Sequence, residues 1–85
     1  MKKAELKYLG FKNKNYCFKD NEDKLFNFSS ARADLIFDFN LREKTNINVQ
    51  FKVKYFISYE KDSEAKIISD LKVISKDIKN ETRVN

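Results

Sequence analysis

Few residues in this sequence could carry out acid–base, nucleophilic or metal chemistry. The chain has no histidine and a single cysteine, Cys17. A thiol with no histidine to activate it is inert as a nucleophile, and one cysteine without histidine cannot assemble a zinc site. Asp34 and Asp38 lie too far apart along an extended segment to act as a catalytic pair. We therefore expect a protein that is not an enzyme and that has no metal site and no cofactor.

The acidic segment Asp20-Asn21-Glu22-Asp23 has some of the character of a calcium-binding loop. It lacks the glycine that such loops need for their sharp turn, and also the terminal glutamate at the required spacing. The segment therefore predicts a polar turn between two strands.

Lysines and aromatic residues are the remaining candidates, and they serve binding. The candidate binding residues are Lys12, Lys14, Tyr16, Lys52, Lys54 and Phe56. The four lysines form one basic surface if the turn at 12–15 approaches the strand that contains Lys52 and Lys54; the alternative is scattered, solvated lysine. A cation beside an exposed aromatic ring, here Phe56, is one way to grip single strands and partner proteins.

The composition fits one small basic domain. The 85 residues carry a net charge of +5, and 41% of them are hydrophobic, which is enough for one aromatic-rich core. The basic residues are fifteen Lys and three Arg, and a lysine excess can reflect AT-rich coding as well as phosphate recognition. We expect one domain over residues 1–79 and a frayed tail at 80–85. The absence of a secretion signal, a long apolar run and a second cysteine predicts a cytoplasmic protein that does not enter membranes.

Short alternating segments separated by polar turns predict a mainly β chain. The expected strands are 4–11, 16–19, 24–28, 35–41 and 47–59. Gly10 falls where the first strand changes phase, which indicates a bulge or a bend. The last of these strands is so long that it must curl around a barrel or project as a hairpin arm. Its long edge also allows homodimerisation.

The segment that follows Glu64 permits two interpretations. As a strand it leaves Ile68 and Ile74 on the wrong face, whereas a helical period places five apolar residues in one stripe: Ile67, Ile68, Leu71, Ile74 and Ile78. The fold we expect is a small five-stranded antiparallel OB-like barrel. The alternative is an α+β fold in which a C-terminal helix over 63–79 covers the antiparallel sheet.

Two aromatic pairs, Tyr16 with Phe18 and Phe26 with Phe28, lie at strand spacing on either side of the acidic turn. A hairpin would bring the pairs side by side on one face. Exposed, they would form a stacking platform for nucleic-acid bases. The opposite face would then bury Lys19 and Asn27, at a cost of several kcal/mol. The energetics therefore favour aromatic side chains that point into the core.

The order of these segments resembles the cold-shock domain, an OB-fold family. The resemblance covers about residues 4–74 and is carried by Leu6-Lys7-Tyr8, Lys14-Asn15-Tyr16-Cys17-Phe18 and Leu25-Phe26-Asn27-Phe28-Ser29-Ser30. It departs from the family pattern where Asn15 and Cys17 replace two glycines and Phe28 replaces a histidine. The resemblance implies single-stranded RNA or DNA stacked on a set of aromatic residues: Tyr8, Tyr16, Phe18, Phe26 and Phe28.

Two functions follow as hypotheses. The first is a cold-shock-like RNA-binding protein that holds single-stranded nucleic acid or a nucleoprotein. The second is an inhibitor encoded by a phage or mobile element, an anti-CRISPR type of protein, that docks on a host nucleoprotein such as a CRISPR effector with its guide RNA. Both require a basic surface with exposed aromatic residues, so the sequence does not separate them.

Overall fold

The computed structural model describes residues 1–60 and 63–75 of the chain. Over these residues one sheet of six strands is accompanied by one short helix. In chain order the elements are β1 (Lys2–Lys12), β2 (Asn15–Lys19), β3 (Leu25–Phe28), β4 (Ser30–Ala31), α1 (Ala33–Asp38), β5 (Gln50–Glu60) and β6 (Ser63–Ser75). The prediction of a mainly β chain is confirmed. The predicted domain end at residue 79 and the tail at 80–85 lie outside the described residues.

Strand β1 has a different neighbour along each of its halves. Its first half pairs with β5, from Lys2 opposite Tyr55 to Lys7 opposite Gln50, and its second half pairs with β2. The register with β2 shifts between Tyr8 and Gly10, and Gly10 has a φ of 124°, a value that side chains rarely tolerate. The predicted bulge at Gly10 is therefore confirmed, and it lets β1 turn from one partner to the other.

The strand order is β3-β2-β1-β5-β6-β4. Strands β3 and β4 stand at opposite ends of this order, although only Ser29 separates them in the chain. The sheet therefore curls until its two ends approach each other. Strand β4 lies parallel to β6, with Ser30 opposite Ile67 and Ala31 opposite Ile68. The amide of Ser29 donates a hydrogen bond of 3.0 Å to the carbonyl oxygen of Lys66 beside this pair.

Strands β5 and β6 form a long hairpin that explains the ambiguous C-terminal pattern. Residues 63–75 are strand, so the alternative of a helix over 63–79 is wrong for that range, and Ile78 lies outside the described residues. The register with β5 skips Ser69 and Ile74. An extra residue at each bulge reverses the alternation, which places Ile68 and Leu71 on the buried face although they are three residues apart. The Ser69 hydroxyl donates to the Lys54 carbonyl at 3.1 Å within the first bulge.

The segment predicted as a strand over 35–41 is instead α1 and the turn that follows it, so that prediction is wrong. Asn40 has a φ of 48°, and the amide of Leu41 donates back to the Ile36 carbonyl at 3.0 Å. A left-handed residue with this bond is the usual way to end a helix. Leu35 is buried, whereas Phe37 is 80% exposed on the opposite side of the helix. The helix is so short that its apolar residues happen to alternate as they would in a strand.

The concave side of the sheet holds the core. Its largest fully buried aromatic side chains are Tyr8, Tyr16, Phe18, Phe28 and Phe51. Phe18 lies at the centre, with ring centroids 4.8 Å from Tyr8 and 5.4 Å from Phe28. Phe26, on the same side, is half-buried between the ammonium groups of Lys24 and Lys66. The aromatic pairs of the β2–β3 hairpin therefore point inward, as the burial argument predicts.

Candidate functional site

The structure separates the predicted binding residues into three places. Lys52 and Lys54 project from the convex face of β5. Lys12 ends β1, and Lys14 lies in the two-residue turn Asn13-Lys14, where both residues have the positive φ typical of a tight hairpin. Lys12 lies seven residues along β1 from Glu5, the partner of Lys52, a separation of roughly 23 Å along a strand. The turn at 12–15 therefore does not join Lys52 and Lys54 in one basic surface.

Tyr16 is buried and exposes almost no surface to a ligand. Its side chain is 2% exposed and packs on Phe11, with ring centroids 4.7 Å apart. Its hydroxyl oxygen accepts a hydrogen bond of 3.1 Å from Nε of Arg42. Tyr16 thus does not fit a direct binding role, and the same applies to the buried Tyr8, Phe18 and Phe28 that the cold-shock resemblance implies.

Six lysines share the convex face of the central strands, and we call this set the outer lysine face. Its members are Lys19 on β2, Lys3 and Lys7 on β1, Lys52 and Lys54 on β5, and Lys72 on β6. They lie on one side because the residues between them, such as Leu6 and Val53, point into the core. Two carboxylates, Glu5 and Asp70, stand in the same rows. The six lysines and two carboxylates together give a charge of 6 − 2 = +4, and Asp20 and Asp23 border the face beside Lys7 and Lys19.

Three pairs of these lysines stand directly opposite each other on neighbouring strands. The pairs are Lys3 with Lys54, Lys52 with Lys72, and Lys7 with Lys19. Directly opposed side chains have Cβ atoms only about 4.5–5.5 Å apart, and like charges in such pairs destabilise a sheet. Lys19 forms an ion pair of 3.0 Å with Asp23. No ion pair within the described ranges involves the other five lysines.

The outer lysine face has a shallow depression of about 160 Å³ at its centre, lined by Lys3, Lys52, Lys54, Asp70 and Lys72. Phe56 follows Lys54 on the same side of β5 and is 39% exposed. Its partner across the hairpin is Ile67. An exposed aromatic ring thus lies beside the lysine-lined depression.

Beyond Tyr55, the last residue of β5 paired with β1, β5 pairs with β6 alone among the described strands, while β6 still borders Ser29 and β4 at Lys66 and Ile67. We call residues 56–60 and 63–67 the arm. Tyr59 on the arm is 73% exposed. The described residues span 53 Å in their longest dimension against 26 and 21 Å in the others, which agrees with a body that carries such an extension.

A second basic group lies where β1 parts from β5. Lys12, Arg42 and Lys44 surround a depression of about 320 Å³ whose apolar lining comes from Leu9, Phe11 and Ile47. The Arg42 guanidinium carbon lies 4.9 Å from the centre of the Phe11 ring. This cleft is separate from the outer lysine face.

Two pKa shifts report the local electrostatics. Burial raises the pKa of the Tyr8 phenol well above its usual value of about 10, and its hydroxyl donates a short hydrogen bond to the Leu41 carbonyl. Hydrogen bonds from the Arg32 guanidinium lower the pKa of the exposed Asp34 carboxyl. Neither group faces the outer lysine face, so both shifts report structural roles.

The sequence pattern did not identify four members of the outer lysine face or Arg42. Lys3 and Lys7 alternate with Ala4, Leu6 and Tyr8, so the phase of β1 carried the signal for those two. Lys72 was hidden because the β6 bulges break the alternation. Lys19 ends a short predicted strand and Arg42 lies in a polar segment between predicted strands, and neither position indicates which strand or ring the side chain will meet.

Comparison with known proteins gives no relative. No protein-family model matches the sequence, and no curated protein and no solved structure matches the chain. In the described ranges, no helix has the length and apolar character needed to cross a membrane.

Proposed function

We propose that this chain is a non-enzymatic binding protein that holds single-stranded RNA on the outer lysine face. The observation that carries the proposal is the set of three opposed lysine pairs on neighbouring strands. Each pair weakens the folded sheet by electrostatic repulsion, which is offset in part by Glu5 opposite Lys52, Asp70 opposite Lys54 and Asp23 on Lys19. A bound phosphate backbone would relieve that repulsion, so the arrangement costs stability without a ligand and supplies affinity with one.

The exposed ring of Phe56 favours a single strand over a duplex. Proteins that hold single strands combine a basic track for the backbone with aromatic rings on which unpaired bases stack. Lys52 and Lys54 supply the track, and Phe56 comes next on the same side of β5. In a duplex the bases are already stacked on each other and would not reach this ring.

We also propose that the fold is OB-like, and the strand connectivity supports this. OB-folds are partly open five-stranded Greek-key barrels, and here five strands follow the order β3-β2-β1-β5-β6 in a sheet that curls. Strand β4 carries the chain from the β3 end of the sheet to its β6 end. OB-folds commonly present their second and third strands to ligands. The aromatic side chains of those strands point into the core here, so the proposal places RNA on lysines of the convex face instead.

A fluorescence-anisotropy titration with a labelled single-stranded RNA at about 50 mM salt tests the proposal. We expect binding whose logarithm falls linearly with the logarithm of salt concentration, with a slope of about −0.7 for each phosphate contacted. The double variant Lys52→Gln/Lys54→Gln should weaken binding and make this slope shallower by about 1.4, if each lysine contacts one phosphate. Absence of RNA binding at this salt concentration would rule the proposal out.

The matched control is Lys2→Gln together with Lys24→Gln. These substitutions remove the same formal charge from positions off the outer lysine face. If both double variants lose affinity equally, net charge rather than this surface causes the binding.

The arm supports a second candidate function, docking on a nucleic-acid-bound host protein as an inhibitor. Its Tyr59 is 73% exposed and Phe56 lies on the opposite face of the same ribbon, and exposed aromatic residues are common anchors of protein interfaces. A pull-down with tagged protein from the native host distinguishes the two functions. One stoichiometric protein partner that is lost with Tyr59→Ser favours inhibition, whereas bulk RNA that is lost with Lys52→Gln/Lys54→Gln favours RNA binding.

A further inference from the structure

The cleft between β1 and the 42–47 segment arises from the way β1 changes partners. The amide of Asn48 donates to the Tyr8 carbonyl at 2.8 Å, and the amide of Tyr8 donates to the Val49 carbonyl at 3.0 Å. Past Tyr8 the bulge at Gly10 keeps β1 on β2, and the two segments part. The opening of about 320 Å³ is within the lower range of small-ligand pockets. A Cβ atom at position 10 would lie only 3.0 Å from Ile47 Cδ1, so glycine leaves room at the bottom of the cleft.

Two contacts hold Arg42 in this cleft. Its guanidinium carbon lies 4.9 Å from the centre of the Phe11 ring, and its Nε–H donates to the Tyr16 hydroxyl at 3.1 Å. Tyr16 is itself almost fully buried and cannot move away. Arg42 nevertheless remains an exposed residue. These two contacts restrain the guanidinium while the residue stays open to solvent, so less side-chain entropy is lost when a ligand stacks on it than for an unrestrained arginine.

The charges around Arg42 indicate an aromatic ligand that also carries a phosphate. Lys12 and Lys44 line the same opening, and ammonium groups bind phosphate as point charges. Glu43 also lines it and could accept a hydrogen bond from an exocyclic amine of a base. Leu9 and Ile47 provide apolar contact for the edge of a ring. A planar base on Arg42, with its phosphate between the two lysines, uses all of these groups at once.

We propose that this cleft binds one nucleotide, with the base stacked on the exposed face of Arg42 and the phosphate held by Lys12 and Lys44. The inference rests on the proposed function in that the nucleotide would belong to a bound RNA strand. It adds a base-recognition site away from the outer lysine face.

NMR titrations of ¹⁵N-labelled protein with adenosine monophosphate and with ribose 5-phosphate test this site. The two probes share the phosphate and differ in the base. We expect adenosine monophosphate to shift the Arg42 Nε–H resonance and the amides of Phe11 and Lys12, with nuclear Overhauser contacts from base protons to Ile47. Ribose 5-phosphate should bind at least about fivefold more weakly, because it lacks the stacking of one base. Equal affinity for both probes, or the absence of contacts from base protons, overturns the inference.

The variant Arg42→Lys keeps the charge and removes the planar face, and it should weaken adenosine monophosphate binding by at least about fivefold. Arg32→Lys is the matched control because Arg32 is exposed and pairs with Asp34 elsewhere on the surface. If Arg42→Lys does not fold, the contacts from base protons in the unsubstituted protein decide alone. Wild-type affinity in a folded Arg42→Lys variant overturns the inference.

The two proposals fail in different ways. If Lys52→Gln/Lys54→Gln weakens RNA binding while adenosine monophosphate leaves Arg42 unchanged, the proposed function stands and the nucleotide cleft is overturned. If adenosine monophosphate contacts Ile47 but RNA does not bind, the cleft is supported as a nucleotide site and the RNA function fails.

Discussion

The two faces of β5 are built under different constraints. On the concave face Phe51 and Val53 are completely buried and Tyr55 is 7% exposed. On the convex face Lys52 and Lys54 alternate with them, each opposite a lysine on one neighbouring strand and a carboxylate on the other. One backbone segment thus satisfies packing on one side and creates electrostatic repulsion on the other.

This difference separates residues that specify the fold from those available for a ligand. The concave face follows the hydrophobic effect closely, because burial of each aromatic side chain stabilises the fold by roughly 1.5–3 kcal/mol. The lysine pairs oppose folding by a smaller amount, up to about 1 kcal/mol each. A protein can keep such pairs only if burial of its core stabilises the fold by more than the repulsion between the lysines costs. Sites that break a local rule without a structural benefit are the positions where function is expected.

The largest expected effect is on the concave face. Phe18→Ala removes the ring at the centre of the aromatic core, and we expect a loss of about 3–5 kcal/mol in the free energy of unfolding, measured by urea denaturation. The control on the same hairpin is Asn27→Ala, since Asn27 is exposed on the convex face and its substitution should change stability by less than about 0.5 kcal/mol. Similar losses for both variants would contradict a core centred on Phe18.

The next effect is a pH dependence that also belongs to the concave face. Burial raises the pKa of Tyr8 in the folded state, so above pH about 10 the unfolded chain loses a proton that the folded chain retains. The Tyr8 contribution is fully present below pH 10, and stability should fall by up to about 1.4 kcal/mol per pH unit above it. Urea denaturation between pH 8 and pH 11, about the tyrosine pKa, measures this loss. Tyr8→Phe should fall less steeply over the same range.

A smaller effect of opposite sign is expected on the convex face. Lys72→Glu replaces one opposed lysine pair, Lys52 with Lys72, by a pair of opposite charges. We expect the free energy of unfolding to rise by about 0.2–1 kcal/mol, while RNA affinity falls. Lys72→Gln is the intermediate control, because it removes the repulsion without adding attraction. If Lys72→Glu neither gains stability nor loses RNA affinity, the opposed lysines cause neither effect.

The smallest expected effect is that of Leu25→Ser, which tests whether location rather than residue type decides stability. Leu25 is 62% exposed on the convex side of β3, whereas Leu6 is completely buried. Leu25→Ser should change the free energy of unfolding by less than about 0.5 kcal/mol, and Leu6→Ala should lower it by about 2–5 kcal/mol. Thermal or urea unfolding of the two variants in parallel measures the contrast.

The sequence predicted those parts of the fold in which a strand alternates without interruption. The strands up to Phe28 and the inward direction of their aromatic side chains follow from period and burial alone. Prediction failed where local geometry breaks the period. The two extra residues in β6 give its apolar residues a spacing that resembles a helix. Around Phe39, a short helix followed by a turn has apolar residues that alternate as they would in a strand.

The candidate site was predicted in part for a similar reason. Lys52, Lys54 and Phe56 lie on one face of a continuous strand, so their shared direction could be read from the sequence. Their lysine neighbours come from β1 and β6, and only the strand order places those side chains opposite them. Lys12 and Lys14 belong to the same chain segment as β1, but a bulge and a turn carry them away from this surface.

The division of β1 between two partners has a consequence for how the chain folds. The β1–β2–β3 hairpins and the β5–β6 hairpin each form between segments close in sequence, which is fast. Joining them requires Lys2 to find Tyr55 across more than half of the chain, together with the short β4–β6 pairing. We expect this joining to limit the folding rate, because its loop-closure entropy must be overcome before the shared core is buried. Deletion of β1 would therefore remove the strand that lies between the β2–β3 hairpin and the β5–β6 hairpin in the sheet.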